Sequence, residues 1–263
     1  MKILCLTVLC FFGISHVSSL TCDINKDSDG VYNICHVANQ VPKSGEITFN
    51  KRGSRSYVSN EDITEVVIIN TTITEIPASI FTTFPNIITL NLDNTGIRNW
   101  NRGTFKVQGI SLLSRLLVKN HPVNRLTKST FKDVLNLYVL RFNNCSITEI
   151  SPQAFNHLTK LVHLSLYRNN LTSIESGVFN PFKDLESIDL DDNQITALPN
   201  GVFSTLKKLE ELDLNNNQLT EIPEDIFKQN IKLKKLIITK NNLKPIDASK
   251  FPARLTNLLV GKL

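Results

Sequence analysis

Residues 209–222 read LEELDLNNNQLTEI, with apolar side chains at positions one, four, six and eleven and polar ones between them. Positions three to seven alternate strictly, which is the period-two signature of a short strand with one buried face. The same spacing returns in LVHLSLYRNNLTSI from Leu161 and in LESIDLDDNQITAL from Leu185. Working outward in both directions, copies begin at Ile63, Ile87, Leu113, Leu137, Leu161, Leu185, Leu209 and Leu233, with a shorter ninth from Leu255. Six of the first seven steps are 24 residues and one is 26. A fixed period of this length marks one structural unit repeated, and since no unit can bury its apolar edge alone, neighbours must stack into one elongated core.

Phenylalanine fixes the register. Phe81, Phe105, Phe131, Phe155, Phe179, Phe203, Phe227 and Phe251 each stand eighteen residues after the start of their copy. Identical turns place identical positions one above another, so the spacing predicts a stacked aromatic column on the side away from the strands, each favourable pair adding roughly 0.5–1.5 kcal/mol beyond its buried area. Pro77, Pro152, Pro199, Pro223 and Pro245 follow the strand blocks and discourage both a longer strand and a long helix there. The expected architecture is an α/β repeat solenoid with a parallel sheet on its concave side and an irregular convex side.

The leucine ladder over residues 63 to 263 resembles the extracellular leucine-rich repeat family in its 24-residue form. That resemblance implies a horseshoe, and a buried side-chain amide ladder at position nine, filled here by Asn169, Asn193, Asn217 and Asn241. Thr71, Thr95, His121 and Cys145 hold the same position in the earlier copies, so Cys145 is expected to be buried and chemically quiet rather than reactive. Residues 20–62 look like the family's N-terminal cap, with a short strand-like stretch from Glu46 to Phe49. The cap departs from the family's common four-cysteine version. At the other end ARLTNLLVGKL opens a strand block and stops at Leu263 without a cysteine-bearing cap. That copy then serves as its own lid, is covered by another chain, or continues beyond the sequence.

The chain begins with Lys2 and an apolar run from Ile3 to Ile14, followed by small residues to Ser19. This is the layout of a secretory signal peptide, and a run this short falls below the ~20 residues a membrane-spanning helix needs. Residues 1–19 are therefore read as a signal, no later segment is long and apolar enough to span, and the mature protein is expected to be secreted and extracellular. In that oxidising setting Cys22 and Cys35 are expected to pair, leaving Cys145 odd. The formal net charge of +5 drops by one with Lys2. So small an excess does not argue for nucleic acid.

The sequence offers little for catalysis. Asn25, Asp27, Asp29 and Gly30 begin like a calcium loop, but His36 stands where a bidentate glutamate is needed, so a solvated turn is the better reading. His157 and His163 belong to a return loop and a strand respectively and make no metal pair. No phosphate-cradling loop or nucleophile elbow occurs, and neither a cofactor nor a metal is expected.

Recognition has the stronger basis. Positions two, three, five, seven and eight of each copy project from the strand face with nothing in the core to fix their identity. In the fourth and fifth copies they include Tyr138, Val139, Arg141, Asn143, Val162, His163, Ser165, Tyr167 and Arg168. Tyrosine and arginine dominate binding hot spots because each joins apolar area to directional polar groups. The next copies are acidic, with Asp189, Asp191, Glu211 and Asp213, and the eighth is basic with Lys234, Lys235 and Lys240. Separated fields of this kind orient a protein partner. Sequons at Asn70 and Asn144 provide glycan acceptors in the secretory route.

The expected function is a secreted, non-catalytic module binding a protein partner through its concave face. The short cap and polar surface resemble secreted leucine-rich repeat proteins of insects, including mosquito immune members, which implies innate immunity and a complement-like partner. The cysteine cluster and coiled-coil tail of the longer members do not occur here. A structural or adhesive matrix protein that self-associates, and the ectodomain of a signalling receptor, are the alternatives.

Overall fold

The computed structural model describes residues 18–26, 32–38, 47–52, 59–98, 100, 105, 110–245, 251–252 and 255–260. Residues 1–17, which hold most of the stretch read as a signal, Asp27–Gly30 of the calcium-loop-like stretch, and the last three residues lie outside that set. In chain order the strands are β1 (Ser18–Lys26), β2 (Tyr32–Ala38), β3 (Ile47–Arg52), β4 (Glu65–Ile69), β5 (Thr89–Asp93), β6 (Arg115–Lys119), the two-residue β7 (Arg125–Leu126), β8 (Val139–Asn143), the two-residue β9 (Glu149–Ile150), β10 (His163–Ser165), β11 (Ser187–Asp189), β12 (Glu211–Asp213), β13 (Lys235–Ile237) and β14 (Asn257–Leu259). Nine of them, one per repeat copy, start at position three of their copy and pair in parallel, position against position, as in Leu140 with Leu164 and Leu164 with Ile188. The cap extends this sheet: β2 lies parallel to β4, and β1 runs antiparallel to β2 and parallel to β3. Cys22 and Cys35 are disulfide-bonded across the β1–β2 pair, with Cα atoms 5.3 Å apart.

Positions one, four and six point inward in every full copy; Leu137, Leu140 and Phe142 are fully buried, as are Leu209, Leu212 and Leu214. On the opposite side the phenylalanine column forms, with one-turn ring spacings of 5.8–6.5 Å from Phe105 to Phe155 and from Phe179 to Phe251. Between those two runs Phe182 wedges in, 5.3 Å from Phe155 and 6.2 Å from Phe179, a step the register did not predict. Strands in a sheet sit about 4.8 Å apart. Because each turn is thicker at its rings than at its strand, the stack bends toward the sheet, which becomes the inner face. Away from this sheet the structure is irregular; its regular pieces among the described residues are α1 (Ser79–Thr83), a 3-10 turn at Ile110–Leu112 and the short parallel pair β7–β9.

A ladder beside the strands ties the copies together. At position nine, the Asn169 Oδ1 accepts the N–H groups of Cys145 and Ile147, both at 3.0 Å, while its Nδ2 donates to the carbonyls of Phe142, Leu166 and Tyr167. Asn193, Asn217 and Asn241 repeat the donation to carbonyls, and their Oδ1 atoms accept the N–H groups of Leu171, Ile195 and Leu219 respectively. Cys145 is fully buried and donates its S–H toward the carbonyl of Asn143 at 3.3 Å, and burial pushes its thiol up to about 12. His121 is buried too; its Nδ1 lies 2.7 Å from the Lys119 carbonyl and its Nε2 2.6 Å from the Thr95 hydroxyl, which fits the neutral ring with the proton on Nδ1, and burial lowers its pKa.

Position eight has one backbone conformation throughout. Asn70, Asn94, Asn120, Asn144, Arg168, Asp192, Asn216 and Lys240 all have φ between 48° and 58°. This left-handed turn ends the strand, and it accounts for asparagine and aspartate at six of the eight sites, since their short polar side chains tolerate it best.

Candidate recognition surface

The strand face carries the residues expected for recognition, but it does not treat them alike. Tyr138 is 47% exposed, and its ring meets the edge of half-buried His163 at 5.5 Å. Arg141 is exposed on the next strand position facing solvent, and Arg168 lies over the Tyr167 ring at 5.4 Å while pairing with Asp192 at 3.5 Å. Val139 and Val162, expected to project, are only 6% exposed, and Ser165 7%. Short side chains between strands about 4.8 Å apart are shadowed by longer neighbours, so they form the floor of the surface.

Asn143 is held by that floor. The Ser165 hydroxyl lies 2.8 Å from both Asn143 Oδ1 and Asp189 Oδ2. One hydroxyl proton serves one acceptor, so the network is complete when Ser165 donates to Asp189 and the Asn143 amide is turned to donate to Ser165. Further along, Asn215 Nδ2 donates to Asp191 Oδ1 at 2.7 Å, and the Thr239 hydroxyl donates to Asn215 Oδ1.

The acidic field is smaller than the sequence suggests. Lys234 pairs with Glu210 at 2.7 Å and Lys235 with Glu211 at 3.7 Å, because parallel in-register strands bring position two against position two and three against three. The basic eighth copy therefore neutralises the outer acids of the seventh. Asp189, Asp191 and Asp213 remain as a half-buried trio. Burial raises the pKa of Asp213 to about 6, with the charges of Asp191 and Asp189 adding to the effect. The Asp191 carboxyl is raised by burial as well. Among the described residues no group of three or more His, Cys, Asp or Glu is placed to hold a metal ion.

Two features escaped the register-based reading. Ile88, Leu112 and Leu135 are 42–53% exposed and share with the expected Tyr138 the rim at which the strands begin, in copies two to four. Among the described residues, four of the seven exposed large hydrophobic ones sit on this one rim segment. The repeat pattern scores only its own periodic positions, and Leu112 and Leu135 stand just before a copy begins. The second is a sequon, Asn170-Leu171-Thr172, hidden because Asn170 follows the ladder residue Asn169.

A parallel sheet built from one strand per repeat, with an asparagine ladder at its edge, defines a leucine-rich repeat solenoid. The chain belongs to the BspA-type leucine-rich repeat region family, whose model matches residues 48–142 and 124–256 in six copies. No curated protein sequence matches it. Among solved structures it is similar to internalin C2 from Listeria monocytogenes, at 18% identity over 78% of this chain and 82% of that one, with a TM-score of 0.58. It is also similar to TLR13 in its complex with ssRNA13, at 20% identity and a TM-score of 0.56, over 82% of this chain but 35% of that one. At these identities the likeness is one of fold. Among the described residues no helix is long and apolar enough to cross a membrane.

Proposed function

We propose that this chain is a secreted, non-catalytic recognition module that binds a protein partner across the concave face and adjoining rim of copies two to five. The observation that carries the reading is the contiguity of Ile88, Leu112, Leu135 and Tyr138 on one rim with the exposed basic residues Arg115, Lys119 and Arg141 on the strands beside them. An apolar patch rimmed by charge is the composition of a protein docking surface. Nine strands at about 4.8 Å give an arc of roughly 40 Å, enough for the ~800 Å² per partner of a standard interface. The partner chemistry that fits is an apolar segment bordered by carboxylates.

TLR13 was solved in complex with single-stranded RNA, but the half-buried trio of Asp189, Asp191 and Asp213 on the same face of this chain opposes a polyphosphate. The apparent signal segment supports secretion. An immune role with a complement-like partner rests on the resemblance to secreted insect proteins. The test is quantitative capture of extracellular proteins by the intact chain, compared with Tyr138→Ala and with a convex-side control, Lys228→Ala. Loss of a central tyrosine typically costs ≥2 kcal/mol, about a 30-fold weakening. Equal capture by folded Tyr138→Ala would remove this surface as the binding site.

A further inference from the structure

The structure assigns Asn170 as an N-glycan acceptor, and with it a glycan-bearing flank opposite the docking rim; this rests on the reading that the chain enters the secretory route. Asn170, Leu171 and Thr172 are positions ten to twelve of the fifth copy, just past the end of β10. Their peptide groups are pinned by neighbouring turns. The Asn170 N–H donates to the Ile147 carbonyl at 2.9 Å, the Leu171 N–H to Asn193 Oδ1 at 3.2 Å, and the Thr172 carbonyl accepts the Thr196 N–H at 3.1 Å. Leu171 is buried, which turns Asn170 and Thr172 outward, and both are exposed.

The side chains differ from their counterparts in other copies. Thr148 and Thr196, at the position of Thr172, donate their hydroxyls to the carbonyl of the preceding turn, at 3.1 and 3.3 Å. Thr172 makes no such bond among the described residues, and neither does the Asn170 amide. At the Asn144 sequon, by contrast, Nδ2 donates to Asn120 Oδ1 at 2.6 Å within the position-eight row. Asn170 therefore accommodates a glycan without giving up any contact of the fold. In the reaction its Nδ2 forms a bond to C1 of an oligosaccharide carried on a polyprenyl diphosphate. The C1–oxygen bond to the diphosphate breaks, the lipid diphosphate leaves, and the amide nitrogen loses one proton.

Asn70, Asn144 and Asn170 all lie at the ends of strands, whereas Ile88, Leu112, Leu135 and Tyr138 lie where strands begin. Five-residue strands hold these two sets roughly 16 Å apart. Sugar on one flank leaves the other open, and at Asn170 it crowds Tyr167 and Arg168 while sparing Tyr138.

The experiment expresses the full chain through a eukaryotic secretory route, removes glycans with a peptide amidase in heavy-oxygen water, and maps converted asparagines by mass spectrometry. The expected result is conversion at Asn170 in most chains, abolished at that site alone by Thr172→Ala. An unconverted Asn170 on chains that carry sugar at Asn70 overturns the inference and leaves secretion standing. Absence of sugar at every sequon overturns the secretion reading, and the inference falls with it.

Discussion

Replacing Asn169 with alanine tests the ladder that ties the fifth copy to the fourth. The amide oxygen accepts two backbone N–H groups at 3.0 Å, and the side chain is 5% exposed, so water cannot replace it without opening the turn. Leaving a buried donor unsatisfied costs about 1–3 kcal/mol, and two of them place the loss at roughly 2–6 kcal/mol. One of the orphaned groups is the N–H of Cys145, whose fully buried thiol reports the damage. With its pKa pushed up to about 12 and no solvent access, that thiol reacts only when the turn opens. An opening made easier by about 3 kcal/mol speeds labelling of Cys145 on the order of 100-fold, read by mass of the peptide that contains it. Asn217→Ala is the control, because Asn217 serves a turn two copies away, and stacked repeats couple chiefly to their nearest neighbours. If Asn169→Ala labels no faster than the parent, or Asn217→Ala accelerates Cys145 equally, the side-chain amide is not what closes this turn.

Lys240→Asn should raise thermal stability by about 0.5–1 kcal/mol, since lysine holds φ 52° at a site where the other copies mostly place asparagine; no change in a calorimetric scan would refute the strain. Asp213 has its folded pKa raised to about 6 from 3.8, so the native state binds the extra proton and stability falls as pH rises from about 4 to 6, then levels. Discounted for its partial exposure, the effect is about 1 kcal/mol. Asp213→Asn should remove that slope and stabilise at pH 7, measured by urea titration across pH. His121 works in the opposite sense: its lowered pKa means stability is lost as pH falls below 6.5, a slope that Asp213→Asn leaves in place.

The fold was legible because a solenoid repeats its evidence: each strand occupies the same five-position window, and the leucines that define it are core residues by both period and packing. What the register could not supply was anything specific to one turn. Phe182 reads as one more apolar residue, yet it breaks the column between Phe155 and Phe179. The acids at Glu210 and Glu211 read as a field, yet the lysines one period later cancel them, a consequence visible in the sequence only to a reader who aligns the copies vertically. Exposure was the hardest to foresee. Val139 and Arg141 lie on one strand and were both expected outward, but side-chain length decides which of them reaches solvent.

The same vertical logic separates structural from functional residues at position eight. Every residue there shares one left-handed turn, and most serve the stack: Asn94 bonds Asn70 at 2.8 Å and Asn144 bonds Asn120 at 2.6 Å. Arg168, like Lys240, departs from what the turn favours, because a long cation in that conformation costs roughly 1–2 kcal/mol that asparagine largely avoids. Its bond to Asp192 replaces the asparagine link to the next copy, and its guanidinium lies over Tyr167. Both contacts hold Arg168 within its own surface, beside the outward-facing Asn170. Tyr138 meets the next copy only at the edge of His163, Arg141 makes no ion pair among the described residues, and both stand on the side of the sheet that the sequons leave bare. The proposed recognition surface thus lies where the repeat asks nothing of the side chain.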